Sequence, residues 1–143
     1  MIIPDVNLLL HAYRLESPQH KVARRWWEET MAGPRPVGLA WVAILGFIRI
    51  STHRGVSPIP LSPAEAMLRV RGWLEKPRVQ IVTPGDGHKE IFLGLLEKLG
   101  TAGNLTTDAH LAALAIEYQA EIASTDNDFA RFKGLRWFNP IRV

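Results

Sequence analysis

The sequence predicts an α/β fold, a parallel sheet with helices on both faces, and three observations carry that expectation. Short apolar or β-branched runs at residues 1–3, 79–82 and 121–124 alternate with longer stretches of helical period. The helical stretches have punctuated ends, such as "SPAE" at 62–65 and glycines at 33 and 100. Helices also outnumber strands, so an α-hairpin is expected between the first strand and the next.

In chain order, "MII" reads as a short buried strand broken by Pro4 and followed by Asp5. "NLLLHAYR" then reads as a helix, and "HKVARRWWEETMAG" as a second that closes on Gly33. "GPRPVG" is expected to be loop. "AWVAILGFIRIST" is a largely apolar third helix whose only charge is Arg49. The next helix starts at a capping box, with Ser62 at the cap, Pro63 in the first turn and Glu65 reaching back, and runs to about Lys76. "VQIV" is a β-branched strand and "PGDG" a turn. "HKEIFLGLLEKLG" is a helix ended by Gly100. The loop "TAGNLTT" leads to "DAHLAALAIEY", where Leu111, Leu114, Ala115 and Tyr118 mark an apolar stripe. A strand at 121–124, the "TDND" turn, a short helical piece and an extended segment near "LRWF" complete the chain.

At 143 residues the chain is expected to form a single domain spanning 1–143, able to bury its own core. No stretch approaches the roughly 20 apolar residues of a membrane span, and "MIIPDVNLLLHAYR" lacks the basic leader and cleavage site of a signal peptide. The absence of cysteine excludes disulfides and thiolate zinc sites and points to a cytoplasmic protein. No phosphate-binding glycine loop of either common type occurs, so nucleotide cofactors have no support. The net charge is +3.

Four of the five aspartates carry the chemical argument. Sites in such sheets form beyond the C-terminal ends of the strands. Asp5 follows the first strand, Asp126 the last long one, and Asp128 stands two residues further on. Asp108 heads the helix "DAHLAALA". Aspartate is also a preferred helix cap, and each acid taken singly fits that role. Capping does not explain Asp5 directly after an apolar strand, nor the doubling at Asp126 and Asp128. Carboxylates crowded on one edge repel unless a cation holds them, and an oxygen-only set suits Mg²⁺ or Mn²⁺. Such an ion supports hydrolysis of a phosphodiester. With the four aspartates neutralised, 17 basic side chains stand against 10 acidic ones, a balance of +7 that favours a nucleic-acid partner.

The segments "DVNLLLHAY", "GNLTTDAHLAALAIE" and "STDNDFARFKGLRWFNP" together resemble the PIN-domain ribonucleases. More narrowly, they resemble the VapC toxins of bacterial toxin–antitoxin pairs, in order and spacing over essentially the whole chain. The resemblance implies a three-layer α/β/α PIN-like domain with a short central parallel sheet, which usually dimerises. It also implies Mg²⁺- or Mn²⁺-dependent endonuclease cleavage of RNA, blocked by a cognate VapB-like antitoxin. Under it, Asp5, Asp108 and Asp126 would be metal ligands and Asp128 an outer or second-metal ligand. Asn7 and Thr125 would orient carboxylates or water from behind. Family members commonly carry a glutamate in the middle of the third helix, where this chain has Gly46. Glu117 cannot replace it, being nine residues and roughly 13 Å along the helix from Asp108.

The remaining candidates divide between function and structure. Arg49, His53 and Arg54 form a basic cluster at the end of the third helix, read equally as an RNA phosphate contact or a solvated helix end. His11, one turn after Asn7, reads first as a structural histidine and His110 as a solvated one. Residues 104–107 read as capping their helix. Of the adjacent Trp26 and Trp27, both cannot face one core, which leaves one for a partner surface. Two rival functions stay open: a PIN-like RNA- or protein-binding module whose Gly46 reflects lost catalysis, and a phosphatase with Asp5 as nucleophile. The second usually wants an acid two residues on, where this chain has Asn7.

Overall fold

The computed structural model describes residues 1–142. Five parallel strands, β1 (Ile2–Pro4), β2 (Val37–Ala40), β3 (Val79–Val82), β4 (Glu121–Ala123) and β5 (Arg136–Phe138), form one sheet in the order β3-β2-β1-β4-β5. The helices are α1 (Val6–Tyr13), α2 (His20–Ala32), α3 (Trp41–Ser51), α4 (Pro63–Leu74), α5 (His88–Leu99) and α6 (Thr106–Glu117). Short 3-10 segments occur at Gly103–Leu105 and Asn127–Arg131.

Alternation along the strands divides the interior into two cores. Ile2, Val37, Leu39, Val79 and Ala123 face Leu8, Leu9, Trp27, Phe47 and Trp73 of α1 to α4. Ile3, Ala40, Val82 and Ile122 face Leu95, Leu111, Leu114, Phe129 and Phe132 on the other side. The result is the three-layer α/β/α arrangement, with α1 and α2 forming the hairpin between β1 and β2. One core is aromatic: Trp73 meets Phe47 at 4.7 Å and Trp27 at 5.7 Å between ring centroids, and its indole N–H donates to the Tyr13 hydroxyl at 2.8 Å. Trp27 is fully buried, whereas Trp26 is only partly covered at the rim of the same core.

Strand β2 corrects the expected loop at 33–38. Two prolines and a glycine hide it, yet all four of its residues are buried between β1 and β3. Gly38 is needed for its missing side chain, because a Cβ there would stand 2.8 Å from Val82 Cγ1 and 2.9 Å from Met1 Sδ. Pro4, expected to break the first strand, is instead its last residue, paired with Ala123. The Ile2 N–H bonds toward β2 (to Pro36 O, 2.9 Å) and the Asp5 N–H toward β4 (to Ala123 O, 2.8 Å). In an alternating ladder the N–H that Pro4 lacks would have pointed at β2. The β1–β2 pairing accordingly stops at Ile2↔Val37, while β1–β4 continues to Asp5.

Helix ends follow local chemistry. The Ser62–Glu65 capping box forms as expected, and Gly100 closes α5 at φ +69°. Helix α6 begins two residues before Asp108, and no side chain caps it, so residues 104–107 do not play the expected capping role. At the other end of α6, Glu117 accepts the Gly85 and Gly87 N–H groups at 2.8 and 3.0 Å, and the Tyr118 hydroxyl bonds both the N–H and the C=O of Thr83. These two residues clamp the β3–α5 loop, which is the structural use of the acid at 117.

Gly38→Ala should lower stability by about 1–3 kcal/mol, the usual effect of overpacking a closed site. Urea denaturation followed by tryptophan fluorescence measures it, and an unchanged midpoint would show that β2 has room to spare.

Candidate metal centre

Asp5 is the N-cap of α1 and 7% exposed. Its Oδ1 accepts from the Val6 N–H at 2.8 Å, and its Oδ2 accepts from the Ser124 hydroxyl at 2.7 Å. The Ser124 oxygen in turn accepts from the Asp126 N–H at 3.0 Å. Asp126 caps the 3-10 helix that follows, its Oδ1 accepting from the Asp128 N–H at 2.8 Å. Capping therefore does account for Asp5 and Asp126, contrary to the expectation for Asp5. Asp108 and Asp128 cap no helix, and Asp126 alone both caps and joins the converging set. Oxygens of Asp108, Asp126 and Asp128 lie within 4.8 Å of one another. Asp5 stands outside that set and is tied to Asp126 through Ser124.

The electrostatics show the strain of this grouping. Asp108 sits in the first turn of α6, where the helix dipole favours a carboxylate. Its pKa is nonetheless pushed up to about 7, first by burial and then by the charges of Asp5, Asp126 and Asp128. Asp5 is also raised, chiefly by burial, with the Ser124 and Val6 hydrogen bonds opposing and the charge of Asp126 adding. Among the described residues the ion pairs are Arg14–Glu16, Arg24–Glu28 and Arg35–Glu121, and none reaches the cluster.

This donor set fits a hard divalent cation. Two oxygens on an octahedral Mg²⁺ with bonds of about 2.0–2.1 Å are about 3–4 Å apart, a spacing that small side-chain rotations reach from 4.8 Å. The cation would also supply the positive charge that no ion pair among the described residues supplies.

Of the proposed supporting residues, Asn7 and Thr125 are half-buried and make no hydrogen bond to a cluster carboxylate among the described residues. Ser124, fully buried one position earlier, plays the supporting part instead, donating to Asp5 and accepting from the Asp126 N–H. The signal was the adjacent hydroxyl pair in "STD"; the strand's buried phase selects the first. Gly46 lies against α1, where a Cβ would stand 3.0 Å from Val6 Cγ2, beside the residue that follows Asp5. Arg49 and Arg54 are exposed. His11 is structural, with Nδ1 2.7 Å from the Ser17 hydroxyl and its carbonyl 3.0 Å from His20 Nδ1. His110 is not solvated as expected: its Nδ1 lies 3.0 Å from Nε2 of the buried His88, and burial lowers its pKa.

The linkage of Asp108 has a defined sign. The folded state holds its proton to about pH 7, whereas the unfolded chain releases it near 4. The associated stability is present below about pH 4 and lost as pH rises through 7. Without divalent cations, Asp108→Asn should raise stability at pH 8 by about 1–2 kcal/mol, solvent screening of a half-exposed carboxyl included. It should leave stability near pH 4 almost unchanged. Thermal melts of both proteins in chelator across this range test it; a variant less stable at pH 8 would contradict it.

Comparison with known proteins supplies the lineage. The PIN domain matches residues 2–135. The chain is 52% identical to a ribonuclease, VapC33, of Mycobacterium tuberculosis, covering 99% of both chains. It is 44% identical to VapC37 of the same organism, covering 98% of this chain and 97% of that one. Among solved structures, VapBC-1 of nontypeable Haemophilus influenzae superposes with a TM-score of 0.70 at 18% identity, covering 99% and 100% of the two chains. M. tuberculosis VapC20, described as a sarcin-ricin loop cleaving toxin, gives 0.64 at 18% identity, covering 95% and 99%. Carboxylates gathered at the sheet edge, the α/β/α layers and these whole-chain matches agree: the chain belongs to the PIN-domain family, among the VapC proteins.

Proposed function

We propose that this protein is a metal-dependent endoribonuclease, the toxin of a VapBC-type pair. The observation that carries the reading is the Asp108–Asp126–Asp128 cluster, which no ion pair among the described residues balances. Its likeness to named VapC ribonucleases supports RNA as the substrate. Asp108, Asp126 and Asp128 would hold Mg²⁺ or Mn²⁺, with Asp5 completing the anionic wall through its remaining lone pairs. Bound there, the ion would supply a water of lowered pKa and charge neutralisation at the scissile phosphate. Ser124 keeps Asp5 and the Asp126 backbone in register, and the 3-10 helix after Asp126 brings the exposed Asp128 beside Asp108 and Asp126.

A VapB-like antitoxin is the expected partner, as in the VapBC and FitAB assemblies that the fold resembles. We further propose one folding unit spanning 1–143, a homodimer and a cytoplasmic setting. Exposed Trp41 and Leu45, one turn apart on α3, are suited to the dimer face. No helix among the described residues is long and apolar enough to cross a membrane.

The phosphatase reading loses ground because both oxygens of buried Asp5 are engaged and Asn7 occupies the second-acid position. The binding-module reading rests on Gly46. The three clustered carboxylates all come from elsewhere in the chain, so their grouping does not depend on an acid there.

Antitoxin-free protein should cleave structured RNA in Mg²⁺ or Mn²⁺ and stop in EDTA. Asp5→Asn and Asp128→Asn should each slow cleavage by about 100-fold or more, the scale of losing an electrostatic group from a catalytic site. If Asp5→Asn cuts as fast as wild type and EDTA is harmless to both, the mechanism is wrong. If only Asp128→Asn is near wild type, Asp128 is not a metal ligand.

A further inference from the structure

Beyond the acidic cluster, the face that follows it carries the opposite charge. The last turn of α5 and the segment leaving the 3-10 helix enclose a groove of about 410 Å³, lined by Leu95, Lys98, Leu99, Arg131, Phe132 and Lys133. Three cations and no acid line it. Lys98, Arg131 and Lys133 are all exposed, and among the described residues none makes an ion pair or a side-chain hydrogen bond. Such a concentration of free cations has a cost in mutual repulsion that an anionic occupant would relieve.

Two short stretches of chain link the groove to the acidic cluster. Asp128 and Arg131 are three residues apart on the 3-10 helix Asn127–Arg131. At that separation, side chains of a 3-10 helix eclipse and stand roughly 6 Å apart along the axis. On the other wall, α5 ends at Leu99, and only six residues separate it from the start of α6, whose first turn holds Asp108. The positive groove thus shares its 3-10 helix with Asp128 and lies on the helix that leads into the first turn holding Asp108.

Its floor decides which part of a nucleic acid it can touch. Phe132 is 3% exposed and Leu95 6%, so neither offers a ring or face on which a base could stack. What projects into solvent is the charge of Lys98, Arg131 and Lys133, beside the partly exposed Leu99. We propose that this groove binds the phosphate backbone of single-stranded RNA next to the scissile bond, positioning the strand without reading its sequence. The proposal rests on the ribonuclease reading for its orientation, but it concerns binding and is tested by binding.

The test uses the full-length, antitoxin-free protein and a fluorescent single-stranded RNA oligonucleotide, in EDTA so that cleavage cannot intervene. Wild type is compared with Lys98→Gln/Arg131→Gln/Lys133→Gln, and with a control triple that removes equal charge elsewhere, Lys21→Gln/Lys76→Gln/Lys89→Gln. Circular dichroism and melting temperature verify that each variant is folded. The groove triple should bind at least 10-fold more weakly, for oligonucleotides of unrelated sequence alike. Its slope of log K against log salt should be shallower by about 2, the share of three phosphate contacts on a single strand. Arg131→Lys alone should retain most of the affinity. Binding by the groove triple equal to wild type, or weakened only as much as the control triple, would overturn the proposal. So would a loss confined to one sequence, or a groove that instead captures an acidic peptide while RNA binding is untouched. A protein that binds RNA through these residues but never cleaves it would retain the groove and reject the ribonuclease.

Discussion

The parallel pairing of β1 with β4 is the constraint from which the rest of this molecule follows. It joins the two ends of the chain, setting Ile2 opposite Glu121, Ile3 opposite Ile122 and Pro4 opposite Ala123. That register leaves Asp5 one step past the ladder on one strand and Ser124 one step past it on the other, and the two meet at 2.7 Å across 119 residues of sequence. Because side chains alternate along a strand, a slip of one residue would turn Ser124 away from Asp5 and empty both cores of their strand residues. Pro4 adds a directional element. By denying β2 a hydrogen bond while leaving β4 its own, it biases the C-terminal edge of β1 toward the strand that leads into Asp126 and Asp128.

From that edge outward, the same side chains do two jobs. A carboxylate at a helix start satisfies backbone N–H groups that would otherwise lack partners. Asp5 and Asp126 do so, and this holds each in one orientation. Capping leaves lone pairs free, and it does not cancel the repulsion that Asp108 feels from its three neighbours. An arrangement of this kind is unfavourable for the apo-protein and favourable once a divalent cation binds, so stability and metal affinity trade against each other.

Sequence made much of this legible, and what it hid has physical causes. The capping box at Ser62, the Gly100 stop and the alternation of short strands with helices are local signals, and they appear where expected. Strand β2 escaped because its burial comes from its neighbours: "PVGLA" has too few β-branched residues to announce a strand, and Gly38 is present for lack of space beside Val82 and Met1. The aspartates were found because few competing acids share their edge. Ser124 was passed over for Thr125 since both are hydroxyls in one turn, and only the phase of β4 separates them. The His88–His110 contact joins two helices 22 residues apart, and no spacing rule anticipates it. The same holds for the Glu117 bonds to Gly85 and Gly87, which tertiary packing alone creates.

The central claim is that the aspartate cluster is a divalent-cation site. Titrating Mn²⁺ into the antitoxin-free protein at pH 7, by calorimetry in two buffers of different ionisation enthalpy, addresses it directly. The account predicts saturable binding with release of a fraction of a proton, because Asp108 is about half protonated at that pH. It predicts that Asp126→Asn abolishes the binding. No saturable uptake of Mn²⁺ at millimolar concentration, or uptake that survives this substitution unchanged, would contradict it.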